Sequence, residues 1–286
     1  MTGAVLWTRS LPPGELNDRP AVDNHGTVYV IFGSAVKTHY SSSSSPSSSA
    51  SSVAVAAAAA GDGDNVPPAL TFHAVDAETG AVRWSNNVSG AYSSPVAAGG
   101  VVYVATGEGA LAAVNASNGH LKWSVPGVTN TWAGPAVDGG LTFGVTESGT
   151  LTAVDASTGE SRWQRSFEGY NPLTPVAAGR KVYVAGALDT LYAFDAATGA
   201  TAWNASHLCS NHLWSVPAVA DGAVYVGSDA DSTLHVMNAA TGAPMWNFTA
   251  VDAVRSPVVA NGTVFFGTNS VMSLGSPEQM YALLAP

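Results

Sequence analysis

The sequence predicts an all-β fold, a β-propeller of six four-stranded antiparallel blades, and three observations carry that prediction. A Thr-Gly-x-x-x-Trp signature returns about every forty residues, short apolar segments separated by hairpin turns fill each period, and no amphipathic helical stretch lies between them.

The signature stands at Thr2-Gly3 with Trp7, Thr79-Gly80 with Trp84, Thr158-Gly159 with Trp163, Thr198-Gly199 with Trp203 and Thr241-Gly242 with Trp246; Asn118 replaces Thr before Gly119 and Trp123. From Trp84 the intervals are 39, 40, 40 and 43 residues, while Trp7 and Trp84 are 77 apart. A second marker, proline followed by two small apolar residues, keeps step at Pro20, Pro95, Pro135, Pro175, Pro217 and Pro257. Two markers in phase point to one structural unit repeated around a ring.

Within one period, four strands are expected at Pro95 to Ala97, Val101 to Ala105, Leu111 to Asn115 and Leu121 to Val125. Gly99-Gly100 separates the first two, as Asp138-Gly139, Asp221-Gly222 and Asn261-Gly262 do elsewhere, and such pairs accept positive φ at little cost. A large ring at one place in each period fills the wedge between neighbouring sheets, so Trp7, Trp84, Trp123, Trp163, Trp203 and Trp246 are expected as interblade docking residues.

The chain opens on Thr2 to Trp7, the last strand of a period, and closes on Met280 to Leu284, a third strand without its fourth. Written head to tail, Tyr281 to Pro286 followed by Thr2-Gly3 aligns with Tyr192 to Gly199. The expectation is a blade shared between the termini, which removes two exposed sheet edges; an excerpt of a longer array would show the same ends.

Residues 1–286 are read as a single propeller domain carrying one insertion. Val30 and Leu70 are forty positions apart where the equivalent Val104 and Leu111 are seven apart, and Ser41 to Ser52 contains ten serines. Residues 34–69 are therefore expected as a disordered loop on the rim, with too little apolar surface to offset ordering entropy. A smaller expansion lies between Phe266 and Met280.

Charge narrows the function. Only 10% of the 286 residues are charged, against a usual share of about 25%, and 20 acids over 10 bases leave a net charge of -10. Nucleic acid and anionic membrane surfaces, which need clustered Lys and Arg, are excluded as expected partners. The longest apolar run, Val53 to Ala60, is far short of the roughly 20 residues of a membrane span, and the N-terminus lacks the basic-then-apolar layout of a signal peptide. A single cysteine, Cys209, excludes an internal disulfide framework.

The spacing Ala-x-Asp-x-x-Thr-Gly-x-x-x-Trp, as in Ala153 to Trp163 and Ala193 to Trp203, resembles the repeat of the quinoprotein-type (PQQ-like) β-propellers across nearly the whole chain outside the insertion. The resemblance implies interblade docking for the Gly and Trp. That family includes pyrroloquinoline-quinone alcohol dehydrogenases and cofactor-free scaffolds similar to the propeller lipoprotein of the bacterial outer-membrane assembly machine. Its dehydrogenases typically carry eight blades, a Ca²⁺ held by acidic and amide side chains, a catalytic Asp and often vicinal cysteines. Six expected blades and one cysteine depart from that pattern.

Local candidates for chemistry are few. His207, Cys209 and His212 could face a soft metal, but no second cluster supplies a fourth ligand, and an interblade loop is expected. Asp229-Ala230-Asp231-Ser232 alternates oxygen ligands as Ca²⁺ would use them, yet lacks the glycine and distant Glu of an EF-hand and occupies the place of Gly107-Glu108-Gly109 in another blade, a polar turn. Catalytic and metal residues are therefore expected to be none. The sequons at Asn87, Asn115, Asn204, Asn247 and Asn261 only slightly exceed chance and hint at a secretory or periplasmic location.

Residues just before each repeated Pro enter the innermost strands beside the central channel and vary while the rest repeats. Asp18, Arg19, Tyr92, Trp132, Trp214 and Arg255 are the expected channel-mouth binding residues. The function expected is a monomeric, non-enzymatic scaffold for a protein or a small polar ligand, with no cofactor; the alternative is a quinone-dependent alcohol or sugar dehydrogenase, or a fragment of one, using pyrroloquinoline quinone and calcium.

Overall fold

A computed structural model describes residues 15–16, 20–33, 70–88, 93–130, 133–168, 173–186, 189–206, 208, 215–268 and 279–285. The insertion at 34–69 and the strand expected at Thr2 to Trp7 lie outside these residues. The described chain is all β and forms six antiparallel sheets in sequence order.

Blades 2 to 5 have four strands each, numbered by role from the axis outward. Blade 2 comprises Val96–Ala98, Val101–Ala105, Leu111–Asn115 and Leu121–Val125, and blade 3 Ala136–Asp138, Leu141–Val145, Thr150–Asp155 and Ser161–Ser166. Blade 4 comprises Val176–Ala178, Lys181–Ala185, Leu191–Asp195 and Thr201–Ala205, and blade 5 Ala218–Ala220, Ala223–Gly227, Thr233–Asn238 and Pro244–Thr249. First strands of successive blades touch one another and surround the axis. Blade 6 shows three strands among the described residues, Val258–Ala260, Thr263–Gly267 and Met280–Leu284.

Blade 1 departs from the expected four. Two short pieces, Glu15–Leu16 and Ala21–Val22, pair with opposite ends of Thr27–Gly33, which continues to Leu70–Asp76 and Val82–Val88. Pro20 lies between the two pieces, and a residue with no N–H cannot continue a ladder.

The inner hairpins turn as their sequences require. Asp221 and Gly222 have φ of 49° and 77°, and Asn261 and Gly262 of 50° and 69°, so both central residues take the left-handed region of a type I′ turn. Each third strand meets its outer strand with one register shift, at Ala74/Val75, Ala113/Val114, Ala153/Val154, Ala193/Phe194 and Val236/Met237. These bulges sit beside the residue paired with the repeated Trp and add twist at one place in each blade.

Packing follows the radial order. Second strands such as Val101–Ala105 and Ala223–Gly227 are buried along their whole length because both faces meet a neighbouring sheet. Outer strands such as Thr201–Ala205 bury little besides their tryptophan. Trp84, Trp123, Trp163 and Trp203 donate their indole N–H to Ala116, Ala156, Ala196 and Ala239 of the following blade, at 2.7, 3.2, 3.0 and 3.1 Å. Each ring also lies on the glycine of that blade's signature: a Cβ added at Gly119, Gly159, Gly199 or Gly242 would come within 3.0 Å of it. Trp246 is half-buried, and Trp7 lies outside the described residues.

Candidate functional site

Alternation of strand direction puts two kinds of connection on each face. On one face, the third-to-outer turn bonds to the inner hairpin of the same blade, as Ala156 N–H to Gly140 O and Ala239 N–H to Gly222 O. On the other face, the second-to-third connection meets the crossing to the next blade. Thr129 N–H donates to Gly109 O, Phe167 N–H to Gly149 O, Leu208 N–H to Asp189 O and Ala250 N–H to Ser232 O. The first face is nearly uniform; the second carries the variable segments, and the strand ends Gly33 and Leu70 that flank the insertion belong to it.

This variable face is acidic. Its described connections carry Glu108, Glu147, Glu168, Asp189, Asp229, Asp231 and Asp252 against one cation, Arg255. Of the expected channel-mouth residues, Asp18, Arg19, Tyr92, Trp132 and Trp214 lie outside the described residues. Arg255 is described: its backbone N–H donates to Gly267 O at 2.9 Å and its Nη1 approaches Asp229 Oδ2 at 3.2 Å. The pair ties the crossing into blade 6 to the blade 5 connection. With the Arg255 side chain 38% exposed, the pair contributes about 1 kcal/mol at most and serves mainly to orient the two segments.

The two carboxylates of Asp229-Ala230-Asp231-Ser232 face different partners, Asp229 towards Arg255 and Asp231 towards His235 Nε2 at 3.3 Å. Burial pushes the His235 imidazole below its ordinary value despite Asp231. Among the described residues no three His, Cys, Asp or Glu side chains converge as a metal would need. His207, Cys209 and His212 lie outside the described residues.

Sequence reasoning missed a set of hydroxyls beside the axis. Gly134 N–H donates to Thr174 Oγ1 and Val216 N–H to Ser256 Oγ, both at 3.0 Å, so the residue before one repeated Pro is stapled to the corresponding residue of the next blade. Buried Ser93 and Ser215, two positions before Pro95 and Pro217, accept the N–H of Ala105 and Gly227 at the ends of their second strands. The signal was present as Ser or Thr at the position preceding Pro95, Pro175 and Pro257, with Gly or Val at Pro135 and Pro217.

A second missed element is the tyrosine of the second strand. Tyr103 and Tyr183 donate their hydroxyls to Ala156 O and Ala239 O at 3.1 and 3.2 Å, the same carbonyls that receive Trp123 and Trp203. The repeated Val-Tyr-Val at 102–104, 182–184 and 224–226 was the visible trace.

Comparison with known proteins agrees with this architecture. A family profile described as "Outer membrane protein assembly factor BamB" matches residues 1–132, 128–211 and 190–283. Among curated proteins none matches the chain. The crystal structure of BamB from Moraxella catarrhalis superposes with a TM-score of 0.58 at 18% identity, covering 88% of this chain and 82% of that one. The computationally designed Ika8 protein gives 0.63 at 14% identity over 87% and 67% of the two chains, and a chain of the mitotic checkpoint complex 0.67 at 12% over 90% and 72%. The structural likenesses establish the fold, and the profile, matching nearly the whole length, identifies the chain as a member of the BamB-type family of PQQ-like repeat β-propellers.

Proposed function

We propose that the protein is a non-enzymatic scaffold that holds a protein partner against its variable face. The observation that carries this reading is the division between the two faces: one repeats the same turns blade after blade, with carboxylates such as Asp76 and Asp155 paired to Arg83 and Arg162, while the other carries the differing connections, among them the carboxylates Glu108, Glu147 and Asp189. A ring scaffold holds such connections rigidly from below, which is where recognition residues are best placed. The acidic face favours a partner segment rich in Lys or Arg. The description of the matching family as an assembly factor supports a protein partner over a small substrate.

Partner capture followed by measured affinities of two variant sets tests this. Trp132→Ala, Trp214→Ala and the pair Glu108→Lys with Glu147→Lys should weaken binding, whereas Glu78→Lys on the uniform face should not. Equal effects from both faces would place the interface elsewhere. Incubation with pyrroloquinoline quinone and Ca²⁺, then dye reduction with short alcohols and sugars, should give no turnover; alcohol-dependent turnover would overturn the scaffold reading.

A further inference from the structure

We propose that Asn204 is an N-glycan acceptor whose first sugar rests on an aromatic shelf made by Tyr192 and Phe167. Asn204 begins the sequon Asn204-Ala205-Ser206 at the rim of blade 4. Along its outer strand the side chains alternate, Trp203 buried and Asn204 exposed. Asn204 is paired directly with Tyr192 of the third strand, and directly opposed residues share a face with Cβ atoms about 4.5–5.5 Å apart.

The shelf spans two blades. Phe167 follows the outer strand of blade 3 and is held by its own N–H bond to Gly149 O; its ring centroid lies 5.1 Å from that of Tyr192. The Tyr192 hydroxyl donates to Glu168 O at 3.2 Å, which fixes the ring in place. Asn204 and Ser206 line, with these rings, an open cleft of about 560 Å³. N-acetylglucosamine presents a C–H-rich ring face between polar edges. The cleft offers aromatic carbon from Tyr192 and Phe167 within a polar rim that includes Glu168 and Ser166.

The other described sequons are built differently. Asn115 accepts the N–H and the hydroxyl of Ser117 at 2.8 and 2.7 Å and shapes a turn. Asn261 sits at φ 50° in a two-residue hairpin. Asn247 occupies the position of Asn204 in blade 5 but opposes His235 beside a smaller cleft of about 170 Å³.

In the transfer step the anomeric carbon of a lipid-pyrophosphate-linked oligosaccharide bonds to Asn204 Nδ2. The bond to the pyrophosphate breaks, Nδ2 gives up one proton, and lipid pyrophosphate leaves. The co-reactant is thus a lipid-linked oligosaccharide, and the proposal implies passage through a compartment that supplies it.

The full chain, secreted from cultured eukaryotic cells behind a leader, is the material for the test. Peptide mapping should find a glycan on Asn204, enzymatic release should leave Asp at that position, and Asn204→Gln should abolish the modification. An unmodified Asn204 on the folded, secreted chain overturns the proposal. Release of the glycan should lower the melting temperature by about 2–4 °C, and by clearly less in Phe167→Ala or, where that variant folds poorly, Phe167→Leu, which keeps bulk and removes the ring. No shift, or the same shift in these variants, overturns the shelf.

Discussion

Trp203 donates its indole N–H to Ala239 O at 3.1 Å, thirty-six residues ahead and one blade on, and so joins two sheets that share no strand. The same ring lies on Gly242, where an added Cβ would fall 2.6 Å from its nearest carbons. Hydrogen bond and stacking act on opposite parts of one turn, so the indole holds its neighbour in both position and tilt. Three other tryptophans make the same pair of contacts.

The docking role we propose for these rings predicts large effects. Trp203→Ala should cost about 3–5 kcal/mol in denaturant unfolding, and Gly199→Ala should also destabilise, because residue 199 has φ 69° and lies against the Trp163 ring. Either variant unfolding at the wild-type midpoint would remove the tryptophans as the chief link between blades.

Ala156 O and Ala239 O each take a tyrosine hydroxyl as well as an indole N–H, whereas Ala196 O takes only Trp163, because blade 3 has Phe143 at the tyrosine position; in blade 1 the Tyr29 hydroxyl donates instead to Asp23 Oδ2 at 2.8 Å. A carbonyl has two lone pairs, so the second place can be filled. Tyr183→Phe should lose about 0.5–1.5 kcal/mol, and Phe143→Tyr should gain up to about 1 kcal/mol. A loss in Phe143→Tyr would mean that blade 3 has closed over the space.

The radial plan was legible because it is set by features that recur at fixed spacing. Hairpin pairs such as Asp221-Gly222 announce positive φ, and one large ring per period announces a wedge to fill. Staples such as Gly134 to Thr174 left only a Ser or Thr before some of the repeated prolines as their trace: they join inner strands of different blades, and nothing local distinguishes a hydroxyl that reaches across from one that faces solvent. The same holds for Arg255, whose partner Asp229 lies twenty-six residues away and is met only when the crossing folds back over the blade 5 connection.

Acid should loosen the uniform face. Hydrogen bonding from Arg83 holds the Asp76 carboxyl well below its ordinary 3.8, with Thr79 adding to it; Arg162 and Ser157 do the same for Asp155, and Thr198 holds Asp195 down. A carboxyl depressed in the folded state contributes stability that is present above the unfolded value and is lost as pH falls below it. Stability should therefore be level above pH 5 and decline below about pH 4. In Arg162→Gln that decline should be shallower; an unchanged profile would mean that these turns do not set acid sensitivity.

Residues 34–69 are proposed to be dispensable. Phe32 pairs with Thr71, so Gly33 and Leu70 stand at the mouth of one hairpin whose strands run two residues farther than those of blade 2, where Ala105 pairs with Leu111 and residues 106–110 close the turn. Replacing 34–69 by Thr-Gly-Glu-Gly-Ala, the connection of blade 2, should leave the melting temperature within a few degrees. A collapse of the folded state would show that the segment packs on the ring.

The ring closure is the most demanding prediction. Met280–Leu284 forms the outer edge of blade 6 among the described residues, with Met280 and Leu284 81% and 85% exposed. Ala285 N–H bonds to Gly262 O just as Ala239 N–H bonds to Gly222 O, so Ala285 O stands where blades 3 and 5 receive an indole and a phenol. Facing it from blade 5 are a half-buried Trp246 and Tyr225, whose buried hydroxyl has no hydrogen-bond partner among the described residues. A fourth strand bringing a Thr-Gly turn would press Trp246 into the position the other tryptophans hold, and Thr2 to Trp7 carries that turn, followed by an apolar strand ending in Trp. Deleting residues 1–8 should then destabilise the fold far more than removing the insertion does. A circular permutant that joins Pro286 to Thr2 and opens the chain between residues 50 and 51 should keep the wild-type melting temperature, because it turns the proposed pairing into a covalent hairpin. A stable deletion variant, or a permutant that fails to fold while the excised-insertion variant folds, would show that the sixth blade is completed in another way.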